Sequence, residues 1–309
     1  MSAGMRELDR IGEALAMAFP ALSGVTPVGV LGAGFRSVAV ETAEGQVFRI
    51  ARNRAAAAGH AREARLLPAL RSRVPVAIPD PRWHAGPSAQ FPFGVIGYPK
   101  LPGTPLSPAL LSRADKTALA AGLAAFLLAL HRFPVEEARA LGLPGPGERE
   151  RELATLRGEV LPPLRAALAA EEYRAVSRWW DAFLADERLR RYAPVLQHGD
   201  LWYENILADD AGRTVVGVVD FEHAAVGDPA QDFATQLHLG EAFAARVIAA
   251  YRALGGVLDA GFRHRLRKLW ELREFGGIQF AVRYDDPVEF ADGVRKLRAG
   301  PILNRGEHR

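Results

Sequence analysis

The chain has 309 residues, 49% of them hydrophobic, and no cysteine. That length and apolar content allow one large domain or two ordinary ones with real cores, and the missing cysteine excludes disulfides, thiolate metal sites and cysteine nucleophiles. The net charge is +3 and the pI near 9.4, but only four of the 39 basic residues are lysines and the arginines are scattered among acids, so the balance does not point to nucleic acid.

The first ten residues carry acids and no adjoining apolar stretch, which is unlike a signal peptide. The longest strongly apolar run, Ala118 to Leu130, is about two-thirds of the 18 or so residues that a membrane span needs. The expectation is a cytoplasmic protein without membrane or nucleic-acid partners, as monomer or homodimer.

Leu8, Ile11, Leu15 and Phe19 recur at three- and four-residue steps, which predicts an amphipathic helix over 7–19. Three strand-like runs follow between Val28 and Ile50 with a turn at Gly45, predicting an antiparallel meander. The G-A-G of Gly32 to Gly34 is followed by a strand rather than a helix, which argues against a dinucleotide fingerprint. Residues 54–70 read as a helix carrying Glu63. Phe91 to Tyr98 reads as a buried strand, and the proline-rich stretch 99–106 reads as a stiff connector, so the boundary between an N-terminal unit, 1–98, and a C-terminal unit, 99–309, falls here. From Ser112, read as a cap with Asp115 at the third helical position, the chain looks helical to Arg132. Residues 134–147 read as a loop, and 148–190 as two helices with Trp179, Trp180 and Phe183 in the core. Arg263 to Lys268 reads as a solvated helix face with Leu266 inward. Residues 241–299 read as three or four helices, with breaks at Gly255, Gly276 and Asp285 to Pro287.

The chemistry concentrates in residues 195–222. Here Asp200 is followed by Asn205, and a second apolar run, Val215 to Val219, ends in Asp220. Moving a γ-phosphoryl group needs a carboxylate to take the attacking hydroxyl's proton and oxygen ligands for Mg²⁺. Asp200 suits the first task, and Asn205 and Asp220 suit the second. The two β-rich runs would form a short hairpin turning at Asp209 to Gly212.

The written pattern H-G-D-L-x-x-x-N-I-L (198–207), then V-V-D-F-E (218–222) and G-D-P-x-x-D-F-A (227–234), resembles the aminoglycoside phosphotransferase and choline kinase superfamily, whose order of D-x-x-x-x-N and metal Asp matches protein kinases. The resemblance implies an α+β, bilobal protein-kinase-like fold: an antiparallel sheet lobe with helices, then a larger, mainly helical lobe. It implies ATP or GTP as co-substrate with Mg²⁺, Asp200 as catalytic base, His198 orienting the loop, and Asn205 and Asp220 on the metal.

It further implies a phosphate flap of Gly32, Gly34 and Ser37, and a hinge around Tyr98 and Lys100 whose backbone meets the purine. Arg49 stands where kinases carry the phosphate-gripping lysine, with Glu63 as its partner acid. Arginine is not a drop-in lysine, since its planar fork wants two-point contacts. The F-R-I-A-R of 48–52 resembles the equivalent stretch of macrolide phosphotransferase-like members, so the expected acceptor is a macrolide first and an aminoglycoside second. Glu271, Glu274, Asp285 and Asp286 are expected to meet a cation on the acceptor, and Trp202, Tyr203, Trp270, Phe275, Phe280 and Tyr284 to line an apolar wall. Asp228 is expected to cap a helix and Asp232 to accept backbone N–H bonds from the catalytic loop. The rival readings are a kinase of a cellular metabolite such as an amino alcohol or methylthioribose, and a nucleotide-binding module without turnover.

Overall fold

The computed structural model describes residues 3–22, 24–34 and 36–304. Helix α1 (Ala3–Ala18) leads into strands β1 (Pro27–Ala33), β2 (Ser37–Thr42) and β3 (Gln46–Ala51), then helix α2 (Arg54–Leu70) and strands β4 (Trp83–Ala85) and β5 (Val95–Pro99). The five strands form one antiparallel sheet in the order β1-β2-β3-β5-β4. Successive side chains of a strand point to opposite faces, and β3 shows what that alternation does. Phe48 is buried against Leu15, Phe91 and Val95 beneath α1, while its neighbour Arg49 is turned to the other face, toward α2.

Helix α2 starts at Asn53, whose side chain accepts the Ala56 N–H at 2.9 Å, as an N-cap should. It seats Glu63, Leu66, Leu67 and Leu70 inward. Gly59 is required where α2 meets the turn at 221–223, since a Cβ there would lie 2.9 Å from the Glu222 Cβ.

The rest is mainly helical. Strand β6 (Thr104–Pro105) precedes α3 (Pro108–Arg113), α4 (Lys116–His131), α5 (Val135–Ala140), α6 (Pro146–Ala167) and α7 (Ala170–Ala185). Four short strands follow, β7 (Val195–Gln197), β8 (Ile206–Ala208), β9 (Val215–Val218) and β10 (Ala225–Gly227), then α8 (Ala230–Ala234), α9 (Glu241–Ala253), α10 (Phe262–Tyr284) and α11 (Pro287–Ala299). The expected bilobal α+β architecture is therefore present. The apolar run of α4 is buried on most of its circumference within the larger core, including Leu123, Phe126, Leu127 and Leu130. A second core holds Trp179, Trp180 and Phe183 of α7 against Phe275 and Ile278 of α10. Among the described residues no helix is long and apolar enough to cross a membrane.

Several local expectations change. Ser112 caps nothing: its hydroxyl donates back to Ala109, Ser107 caps α3, and Asp115 itself caps α4 by accepting the Thr117 and Ala118 N–H groups at 3.0 Å. The break comes at Ala114, whose backbone is extended. Residues 135–140 of the expected loop form α5. Gly276 and Gly277 do not interrupt α10, because the flanking Phe275 and Ile278 are fully buried and that burial outweighs the roughly 1 kcal/mol that each helical glycine costs. Arg265, expected on a solvated face, is buried and paired with Asp228 and Asp259 at 2.7 Å each.

Candidate active site

Strand β7 delivers the chain to His198, Gly199 and Asp200. Gly199 has φ +84°, and a Cβ there would lie 2.3 Å from the His223 carbonyl oxygen, so this tight passage requires glycine. Below it, the fully buried Asp232 of α8 accepts the His198 N–H and the Gly199 N–H, both at 2.9 Å, and lies 3.2 Å from His131 Nε2. Asp228 accepts the Ala230 N–H at 3.0 Å. Both carboxylates thus take the places expected of them, one at the start of the helix and one under the loop.

His198 is itself buried, with Nε2 donating to the Val219 carbonyl at 3.0 Å and Nδ1 accepting the Asp200 N–H at 3.3 Å. Each ring nitrogen has one partner, so the imidazole is a strut between the catalytic loop and the residue before Asp220. Asn205 donates its amide N–H to the Asp200 carbonyl at 2.9 Å. That bond fixes the side chain and leaves its amide oxygen as the acceptor. Burial raises the Asp200 carboxyl above its ordinary pKa, and the nearby Asp220 charge adds to the rise, which makes it a stronger proton acceptor than a surface aspartate.

Strands β8 and β9 pair as the expected hairpin, Ile206 opposite Val218, with Asp209 accepting the Arg213 and Thr214 N–H groups across the turn. Val219 donates its N–H to the Asn205 carbonyl at 2.9 Å, tying the two candidate metal ligands together. Asp220 adopts a left-handed backbone, φ 66° and ψ 67°, an uncommon state for a residue with a Cβ. Such strain persists where surrounding contacts impose it, and here Asp220 is gripped from the sheet lobe.

The grip is Arg49. One guanidinium nitrogen donates to both Glu63 carboxylate oxygens at 2.9 Å, and another donates to Asp220 at 2.8 Å and to Glu222 at 2.6 Å. The two-point contact that an arginine fork demands is met by carboxylates. Burial works against the charge on Arg49, but the ring of acids more than offsets it and holds the guanidinium protonated. Arg36 adds a second cation, 3.4 Å from Glu222. Burial, with repulsion among the three acids, raises the carboxyls of Glu63 and Glu222. At Asp220 the same burial is outweighed by Arg49, so its carboxyl is lowered.

Glu222 and Arg36 are the members of this cluster to which the sequence reading gave no role. Glu222 left a trace, as an acid two residues beyond Asp220 on the same short turn; Arg36 left none.

The remaining expected residues are placed as follows. Ser37 Oγ lies 3.0 Å from His60 Nε2, and the Gly34 N–H donates to the Ser37 carbonyl at 3.0 Å. Gly32 sits in β1 opposite Ala39. Tyr98 is buried near Arg49, and burial pushes its phenol well up. Lys100 pairs its amine with Glu41 at 2.7 Å and gives its N–H to the Gly45 carbonyl at 2.8 Å, so both donors are engaged within the sheet lobe.

His60 carries a consequence for stability. Burial, helped by Arg49, lowers its pKa from 6.5 to about 3. The unfolded chain therefore takes a proton that the folded protein refuses, so stability is complete above pH 6.5 and falls with pH below it. Between pH 6.5 and 5 this residue alone is expected to cost about 2 kcal/mol. Glu63, raised to about 7, contributes the opposite slope. Chemical denaturation across this range should therefore show a flatter acid loss for His60→Asn than for the wild-type protein; equal slopes would contradict the assignment.

On the acceptor side three of the four expected acids are committed elsewhere. Glu271 accepts from Trp179 Nε1 and Lys268, both at 2.6 Å, Glu274 pairs with Arg273 at 2.8 Å, and Asp286 caps α11. Asp285 ends α10 in a left-handed conformation. Phe275 belongs to the core, whereas Phe280 and Tyr284 stack on each other at 4.7 Å. An aromatic ladder does leave the catalytic loop. Tyr203 stacks on Trp202 at 4.2 Å, Trp202 meets His238 edge-on at 4.3 Å, and His238 meets Trp270 at 4.8 Å.

With this geometry in place, comparison with known proteins decides the family. The sequence profile of the phosphotransferase enzyme family, abbreviated APH, matches residues 25–269. The chain belongs to this family. The phosphotransferase is 28% identical over 204 residues to viomycin phosphotransferase of Streptomyces vinaceus, covering 64% of this chain and 68% of that one. It is also similar to the GDP and kanamycin complex of APH(2")-IIIa, with TM-score 0.83 and 26% identity over 94% of this chain and 98% of that one. Against macrolide 2'-phosphotransferase MphH of Brachybacterium faecium the TM-score is 0.67 and the identity 25%, over 98% of this chain and 100% of that one.

Among the described residues of the phosphotransferase, no three His, Cys, Asp or Glu side chains converge as a cation cage. Mg²⁺ in phosphoryl transfer is held by one or two protein oxygens together with substrate phosphates. The Asp220 side chain is 34% exposed and Arg49 occupies one of its oxygens; the second oxygen and the fixed Asn205 amide oxygen are a hard-donor pair that fits.

Proposed function

We infer that the protein transfers the γ-phosphoryl group of ATP or GTP, with Mg²⁺, to a hydroxyl of an antibiotic, a macrolide first and an aminoglycoside second. The named relatives support the acceptor class. The observation that carries the reaction is the anchored pair of Asp200 and Asn205, joined through Val219 to Asp220.

In this reading the acceptor hydroxyl gives its proton to the Asp200 carboxylate as its oxygen bonds to the γ-phosphorus. The bond from that phosphorus to the bridging oxygen breaks, and nucleoside diphosphate leaves. Asn205 and Asp220 would hold Mg²⁺, which when bound neutralises charge on the phosphate oxygens. His198 keeps Asp200 and Asp220 in register. Arg49 would exchange Asp220 and Glu222 for the nucleotide phosphates, with Glu63 retaining the other side of its guanidinium. Gly32, Gly34 and Ser37 form the phosphate flap, and backbone carbonyls of Tyr98 to Lys100 meet the base, the Lys100 N–H staying with Gly45, at a hinge between lobes 1–98 and 99–309.

The ligand roles predict that Asp220→Ala loses Mg²⁺-dependent nucleotide binding at least tenfold. Calorimetric titration of ATP and GTP with and without Mg²⁺ checks this. A variant whose Mg²⁺-dependent affinity equals wild type would remove Asp220 from the metal.

A further inference from the structure

Arg49 and Arg36 both reach Glu222, but they differ in how far their donors are engaged. Arg49 has both Glu63 oxygens, Asp220 and Glu222 on its fork, so it meets a phosphate only by giving up carboxylates. Arg36 has far less to give up. Its Nε lies 3.4 Å from Glu222 Oε1, with the side chain 37% exposed, and among the described residues no other acid pairs with it and none of its guanidinium N–H groups makes a hydrogen bond. An ion pair that long and that open adds little to stability.

The backbone that carries Arg36 is nevertheless tied down. The Arg36 carbonyl accepts the Arg52 N–H at 2.8 Å, the Gly34 carbonyl accepts Arg52 Nη1 at 2.9 Å, and the Gly34 N–H donates to the Ser37 carbonyl at 3.0 Å. From this turn the side chain reaches the catalytic lobe, where Arg36, Gly199, Glu222 and His223 line one cavity of about 250 Å³. Gly199 directly precedes Asp200. The charge of Arg36 is felt on that side: burial raises the Asp200 carboxyl and Arg36 pulls part of the rise back, while burial and then Arg36 lower the His223 imidazole to about 4. Arg62, on the same wall, is already engaged, donating to the Glu222 carbonyl at 3.0 Å.

We propose that Arg36 is a catalytic residue, which leaves Glu222 when nucleotide enters and donates its guanidinium N–H groups to the γ-phosphoryl oxygens. This rests on the phosphoryl-transfer reading for the identity of the ligand. The γ-phosphoryl group brings negative charge to a site that already holds Asp200, Asp220 and Glu222, and a guanidinium with open donors can meet two of its oxygens at once. As the bond to the bridging oxygen breaks, charge spreads over the transferring group, and a fork fixed on a tied turn stabilises it without reorganising. Arg36 forms no covalent bond and keeps its protons; the hydroxyl proton goes to Asp200.

The test is calorimetric titration of the full chain, in Mg²⁺, with ADP and GDP and with the β,γ-imido analogues of ATP and GTP, whose γ-phosphoryl group is not transferred. Arg36→Ala should weaken the triphosphate analogue by about tenfold or more while the diphosphate stays within about threefold. Arg36→Lys should recover part of the loss, because an ammonium keeps the charge without the fork. A residue that merely shaped the flap would weaken both nucleotides together. Equal weakening of diphosphate and triphosphate, weakening of neither, or no nucleotide bound by wild type would overturn the proposal. Nucleoside diphosphate release is read separately. Its absence with every acceptor, beside a triphosphate-selective loss in Arg36→Ala, would sink the transfer and leave the γ-phosphoryl contact standing; release without that selective loss would sink the contact and leave the transfer.

Discussion

Asp200→Asn is expected to lower phosphoryl transfer about a thousandfold while leaving nucleotide affinity within about threefold. A positioned general base contributes on the order of 10² to 10⁴, and the amide keeps the shape of the carboxylate without its basicity. The surroundings should tolerate the change. The loop is fixed through backbone groups of residues 198–200, with Asp232 accepting two N–H bonds and Asn205 donating to the Asp200 carbonyl, and none of these uses the Asp200 side chain. Single-turnover transfer with nucleotide titration in parallel separates the two effects. Transfer near the wild-type rate would remove Asp200 as the base.

Asp232→Ala is expected to destabilise the protein by about 3–5 kcal/mol and to abolish transfer in whatever fraction stays folded. The carboxylate is fully buried and faces two catalytic-loop N–H groups and His131; removing it strands two donors where no water reaches. His131 is held in turn by Tyr251 at 3.0 Å, so the damage reaches α4 and α9. Asp232→Asn should recover only part of the loss, because an amide oxygen can replace one acceptor while its NH₂ group opposes the other donor. Urea denaturation measures the stability. A loss below about 1 kcal/mol would show that the loop holds its shape without this carboxylate.

What the sequence disclosed depended on how local the signal was. Asn205 and Asp220 flank one hairpin, which strand period and turn chemistry are enough to predict, whereas Asp200 precedes it on the loop after β7 and is brought close through Asn205 and Asp232. The amphipathic α1, the meander of β1 to β3 and the span of α2 were likewise readable, each from its own periodicity and punctuation. The cap of α4 was misplaced by three residues because Ser112 and Asp115 both suit that role, and only the extended backbone at Ala114 decides between them. The continuity of α10 through Gly276 and Gly277 depends on tertiary burial of their neighbours, which overrides propensity. Arg36 reaches Glu222 across a sequence separation that no pattern reports. For the acceptor side, counting acids on α10 suggested a cationic ligand, whereas the contacts spend Glu271 on a tryptophan and Glu274 on Arg273. Residue type was legible there; commitment to a partner was not.

The measurement that bears most directly on the account is Mg²⁺-dependent release of nucleoside diphosphate, with ATP and GTP in parallel, against erythromycin, kanamycin, choline and methylthioribose. The account predicts release stimulated by the macrolide and lost in Asp200→Asn. Nucleotide binding with no release stimulated by any acceptor, or release that Asp200→Asn leaves untouched, would contradict it.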